Sequence, residues 1–182
     1  MDEREFCIAE TKKHQDIVKG LILIVADELT ERASKHDGSK LGDYELQGFV
    51  EYTPKLKNCT YGSDEYKGYL NAMKPFLDHH YKENRHHPEH FRRFTCNLCF
   101  KEYKPEAPDF CTVCGNTQFT EEPDMSQMNL IDLVEMICDW IAATKRHADG
   151  DIIKSIDING ERFVYGDRLA EIFKNTVKAI ME

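Results

Sequence analysis

Two Cys-x-x-Cys turns, Cys96-Asn-Leu-Cys99 and Cys111-Thr-Val-Cys114, constrain this chain more than any other feature. Four thiolates at that spacing can close a tetrahedral shell around one Zn²⁺. Gly115, directly after the second pair, tolerates the backbone curl that turns amides toward the sulfurs. The arm between the pairs, 101–109, is polar and has no core of its own, so a metal is expected to hold the segment. A redox dithiol or an iron–sulfur cluster would use the same residue type. A shell closed by four sulfurs leaves no position for substrate and predicts a structural zinc. Residues 93–121 are therefore expected to form a four-cysteine zinc-knuckle insert in a helical domain made of 1–92 and 122–182.

Seven cysteines are an odd number, and the N-terminal Met1-Asp2-Glu3-Arg4-Glu5 lacks the apolar stretch of a signal peptide. Reduced thiols and a cytoplasmic location are expected. No apolar run approaches the roughly 18 residues of a membrane span. A formal net charge of -9 disfavours nucleic acid as the main partner, because such binders present a basic face to phosphates. Small phosphate-bearing molecules stay open if metals supply the positive charge.

Apolar spacing predicts helices through most of the remainder. Ile17, Val18, Leu21, Ile22, Val25 and Leu29 recur at helical period between 10 and 35, with His14 on the same stripe and hence expected to point inward. That helix should end near Ser34-Lys35-His36-Asp37-Gly38, with Gly38 as a left-handed cap. A second helix is expected from Asp43, stopping before Pro54. A third should be capped by Ser63 and kinked at Pro75. Helices are also expected over 129–147, 152–158 and 167–181. Along the first of these, Asp132, Glu135 and Asp139 share one side. Cys7, Cys59 and Cys138 lack partners and read as small buried thiols.

His36-Asp37 offers an imidazole and a carboxylate from one turn, a borderline pair suited to Zn, Mn, Fe, Co or Ni. Alone it is an ordinary helix-end pair. Reading onward gives His79-His80, His86-His87 and Asp139, and clustered His and Asp side chains are hard to stabilise without a cation.

That order, with His14 before it, resembles the HD superfamily of metal-dependent phosphohydrolases. The segments His36-Asp-Gly-Ser-Lys40, Asn84-Arg-His-His-Pro-Glu-His90 and Glu135-Met-Ile-Cys-Asp-Trp140 look like an HD-like family of phages and bacteria. The resemblance implies an all-α, HD-like helical bundle holding one or two divalent transition metals. It implies His14, His36, Asp37 and Asp139 as ligands to a first metal, with His80 and His86 or His87 as extras. Asp132 is the alternative to Asp139, which is preferred because it follows the small Cys138, as the superfamily's late Asp follows a small residue.

The function implied is hydrolysis of a nucleotide or related phosphate ester by metal-activated water. Lys40 and Arg85 are the candidate phosphate binders, and Glu45 the candidate acid/base. Glu89 and Glu135 could fix histidine tautomers. Arg146 and His147 suit a helix C-terminus or the site. Tyr61, Tyr66, Tyr69 and Tyr81 read as packing groups. A di-iron HD-type oxygenase and a non-catalytic, zinc-stabilised binding module are the competing functions. Oligomeric state is open, a homo-oligomer included.

Overall fold

A computed structural model describes residues 2–60, 63–146 and 150–181, so Tyr61 and His147 lie outside the described residues. The described residues are mostly helical, with six α-helices and one small sheet among them. The chain divides into two compact units, Met1–His36 and Asp37–Glu182. The division falls after the first helix; the cysteine segment belongs to the same unit as the later helices.

The first unit is one helix, α1 (Glu3–Lys35). Asp2 opens it with a capping box: its side chain accepts from the Glu5 amide at 2.7 Å, and Glu5 accepts from the Asp2 amide at 3.1 Å. The inward stripe expected here is not seen, for no residue of α1 is buried, and Ile17, Leu21, Ile22 and Val25 are all exposed. His14 is likewise exposed.

In the second unit a 3-10 turn (Gly38–Leu41) leads into α2 (Asp43–Lys57) and α3 (Asp64–Glu83). The helix α2 does not stop before Pro54 but continues a turn past it. Contacts with α3 hold that turn: Tyr52 packs on Tyr69 at 6.3 Å between ring centroids, and the Lys55 ammonium sits over both rings. Ser63 caps α3 by accepting from the Tyr66 amide at 3.1 Å, and the helix stays continuous through Pro75.

Gly48 lets α2 and α3 approach closely. A Cβ there would lie 2.2 Å from the Phe76 ring. Although Ala is the better helix former by about 1 kcal/mol, Gly48→Ala should therefore destabilise the protein by about 2 kcal/mol through overpacking. Denaturant unfolding at equilibrium checks this; an unchanged or raised midpoint would contradict it. Glu45 lies one turn before Gly48 and His79-His80 one turn after Phe76, so the same approach brings these three side chains together.

The cysteine segment carries an antiparallel sheet that helical periodicity did not anticipate, with β1 (Arg92–Cys96), β2 (Glu102–Tyr103) and β3 (Phe119–Pro123) in the order β2-β1-β3. Phe94 pairs with Tyr103 on one side and Glu121 on the other. The Asp124 amide donates to Phe91 O at 2.7 Å, and Lys104 forms an ion pair with the Asp124 carboxylate; both contacts tie the sheet to the chain leaving β3.

The main core is built by α4 (Leu130–Thr144), α5 (Ile152–Phe163) and α6 (Asp167–Met181). Met136, Ile137, Ile141, Ile156, Phe173 and Val177 are buried together, flanked by Trp140 stacked between Phe163 and Tyr165. The helix α5 runs through Asn159-Gly160, where a break was expected. Tyr165 secures it by donating to Ile156 O at 2.5 Å and packing over Gly160. Among the described residues no helix is long and apolar enough to cross a membrane.

Candidate metal centres

The four sulfurs of Cys96, Cys99, Cys111 and Cys114 lie within 4.8 Å of one another. Cys96 and Cys114 are 3.5 Å apart, and Cys99 and Cys111 3.4 Å. These separations far exceed an S–S bond and approach the roughly 3.8 Å expected between thiolates each about 2.3 Å from one tetrahedral ion. The two turns repeat each other. Phe100 N donates to Cys96 O and Gly115 N to Cys111 O, and both residues are left-handed, at φ 60° and 74°. Gly115 holds this conformation at no steric cost, whereas Phe100 must be held in it by its surroundings. Burial works against ionising Cys111. It is outweighed by a hydrogen bond from the Tyr103 hydroxyl at 3.2 Å and by the amides of Val113 and Cys114, which bring the thiol down to about 6. A thiolate ready to ligate is thereby favoured. The other three cysteines remain free, and Cys7 and Cys138 are exposed where burial was expected.

The second cluster brings together Asp37, His80, His86 and His87, each offering one ligand atom within 4.8 Å of the others. Asp37 ends the α1 connection in the left-handed region at φ 55°, taking the conformation expected of Gly38; aspartate is among the few residues that adopt it readily. Its Oδ1 lies 3.2 Å from His80 Nε2 and 3.4 Å from His86 Nε2, while Oδ2 is paired with Lys40. Burial would discourage its charge, but the neighbouring His80, His86 and Lys40 outweigh it and hold the carboxyl well below the usual range. Asp139, on α4, presents an oxygen within 4.8 Å of one on Asp37.

Carboxylates anchor two of the imidazoles from behind. Glu45 Oε2 accepts from His80 Nδ1 at 2.9 Å, and Glu135 Oε1 lies 3.0 Å from His86 Nδ1. A proton on each Nδ1 leaves each Nε2 lone pair facing Asp37, the arrangement that orients metal-ligating histidines. His80 Nε2 also lies 2.9 Å from His87 Nε2. Burial, followed by the neighbouring His86 and His80, outweighs the attraction of Asp139 and Asp37 and pushes His87 down to about 2, so it stays neutral. Three imidazoles and an ionised carboxylate converging on one point suit a divalent transition metal.

Several expectations change. Glu45 is not available as an acid/base: it is 1% exposed, and its oxygens are occupied by His79, His80 and Ser39. Arg85 is not a free phosphate binder. Its guanidinium grips the buried Asp132 at 3.3 and 3.1 Å and lies over Phe91. Asp132 also accepts from the Asn129 amide at 3.0 Å to cap α4, which leaves Asp139 as the acid that reaches Asp37. Arg85→Ala should therefore cost roughly 3 kcal/mol of stability by leaving a buried carboxylate without its cation. Unfolding by urea measures that loss, and a change within 0.5 kcal/mol, the roughly neutral band for surface sites, would refute it.

His14 and His36 both belong to the first unit. They are 22 residues apart, so about 33 Å of helix axis separates them, too far to share an ion. His36 caps the C-terminus of α1. Glu89 pairs with Arg162. Lys40 sits between Asp37 and the Phe49 face, 5.1 Å from its centroid. Ser39 and Asn84 were missed by sequence reasoning. Asn84 donates to Ser39 Oγ and to His80 O, each at 2.7 Å, and Ser39 donates to Glu45. No local spacing signals the bond that closes this network, between Ser39 and Asn84, which are 45 residues apart.

Fold and clusters together define a mostly helical protein with two groups of side chains able to hold metal ions. The chain belongs to a family described as a family of unknown function (DUF5662), which it matches over residues 3–182. No curated protein and no solved structure matches it.

Proposed function

We propose that the protein is a metal-dependent phosphohydrolase whose centre is held by Asp37, His80, His86, His87 and Asp139, with a structural zinc at the four cysteines. The observation that carries this reading is the anchoring of His80 by Glu45 and of His86 by Glu135, which turns both Nε2 atoms onto Asp37. A divalent cation bound there supplies Lewis acidity and lowers the pKa of water toward neutrality. Asp37 and the histidines fix its position. Lys40, beside Asp37, offers an ammonium to a phosphate oxygen. The order of His and Asp residues resembling HD phosphohydrolases supports the class, although His14 and His36, both in the first unit, are not among the residues named for this centre. Seven cysteines free of disulfides support a reducing, cytoplasmic setting.

The test is phosphate release from a panel of nucleotides and simple phosphomonoesters by protein reloaded with Mn²⁺, Co²⁺ or Fe²⁺. Release should depend on the metal and vanish in His86→Ala. A loaded histidine cluster with no release from any ester would refute the reading.

A further inference from the structure

A cleft of about 710 Å³ in the second unit is lined at one point by Asp37 and Lys40. Its volume is that of a small-molecule site. The walls are Leu46, Phe49, Leu56, Leu70, Met73 and Leu77, supplied by α2 and α3. Two further cations, Lys57 and Arg146, line it, while Asp37 is its one acid. The uncharged polar side chains in the lining are Thr53 and Tyr66. A nucleoside would bring base edges and ribose hydroxyls into this space and leave most of them without partners, which is costly once they are removed from water. A hydrocarbon body carrying a phosphate satisfies both halves of the cleft: the apolar walls take the body, and Lys40, at the end beside the metal cluster, takes the anion.

We infer that the substrate of this centre is an amphiphilic phosphomonoester whose alkyl or aryl body lies between α2 and α3, and not a nucleotide. The inference rests on the phosphohydrolase reading. In the reaction water adds its oxygen to phosphorus, the ester P–O bond breaks, and the departing oxygen takes up a proton. The products are an alcohol and inorganic phosphate, with no oxidant or reductant needed.

Calorimetric titration of the full, Mn²⁺-loaded chain with butyl, hexyl and octyl phosphate, all below their micelle concentrations, tests this against AMP and inorganic phosphate. Each buried methylene should tighten binding roughly fourfold, so octyl phosphate should bind on the order of 200-fold more tightly than butyl phosphate. Leu46→Glu, at a cleft position 40% exposed and so tolerant of substitution, should flatten the series. A flat series in the wild type, tighter binding of AMP, or a slope unchanged in Leu46→Glu would each overturn the inference. Phosphate release followed in the same samples keeps the two readings apart. A steep series without release rejects the phosphohydrolase and leaves the cleft's preference standing; AMP turnover with a flat alkyl series does the reverse.

Discussion

Asp37→Ala should leave the protein with the metal of its four cysteines and without the metal of its histidine cluster. Asp37 supplies the carboxylate that His80 and His86 face at 3.2 and 3.4 Å, and its second oxygen engages Lys40. Removing it takes away the negative charge around which three imidazoles converge and leaves the Lys40 ammonium beside them, repelling any cation. Loss of an anchoring carboxylate such as Glu45 typically weakens a metal site by about 10–100-fold. Loss of a ligand at the centre should do more, and phosphate release should fall with it. Alanine also fits the left-handed backbone of residue 37 poorly, at about 1 kcal/mol. Asp37→Asn is the cleaner companion, since asparagine tolerates that conformation while lacking the charge. Metal content by mass spectrometry, with circular dichroism to show that the helices persist, decides the matter. Unchanged metal content in both variants would rule out Asp37 as a ligand.

Cys111→Ser should have the largest effect on stability. Cys111 is 1% exposed and sits beside Cys99, Tyr103 and the left-handed Gly115 turn. The segment it closes has little else to hold it: β2 is two residues long, and Leu98, Phe100, Phe110 and Val113 are all exposed. Where a core is this small, metal binding is folding energy, about 10–16 kcal/mol in isolated zinc fingers. A share on the order of 5 kcal/mol or more should be lost here. The damage should spread to the histidine loop, because β1 begins two residues after His90 and Phe91 O is bonded to Asp124. Cys138→Ser, at an exposed position, should stay within about 0.5 kcal/mol of wild type. Hydrogen exchange over β1–β3 and chelator-induced unfolding measure the contrast. Equal stability of the two variants would refute a structural metal.

Much of the architecture was legible in local chemistry. The CxxC spacing, Gly115, the Ser63 cap and the periodicity of α4 each involve residues within a few positions of one another. Short-range backbone geometry is enough to place them. His36-Asp37 as a turn at a helix end was visible for the same reason.

The sheet within the cysteine segment was not legible, because its register joins residues 29 apart, as in Arg93 with Glu122. Pro54 and Asn159-Gly160 looked like helix ends, and rings from elsewhere in the fold overrode them. Roles within the site changed most. Glu45 had the residue type of an acid/base, and only the packing of α2 on α3 at Gly48 and Phe76 buried it behind His80. Arg85 had the residue type of a phosphate clamp, and Asp132, 47 residues away, claimed it. Residue type and spacing by themselves determined that this chain carries two sets of side chains able to ligate a metal. Tertiary structure decided which members converge and which stand behind them, because a side chain's role depends on the distance and burial set by distant partners, and neither is encoded in the spacing along one helix.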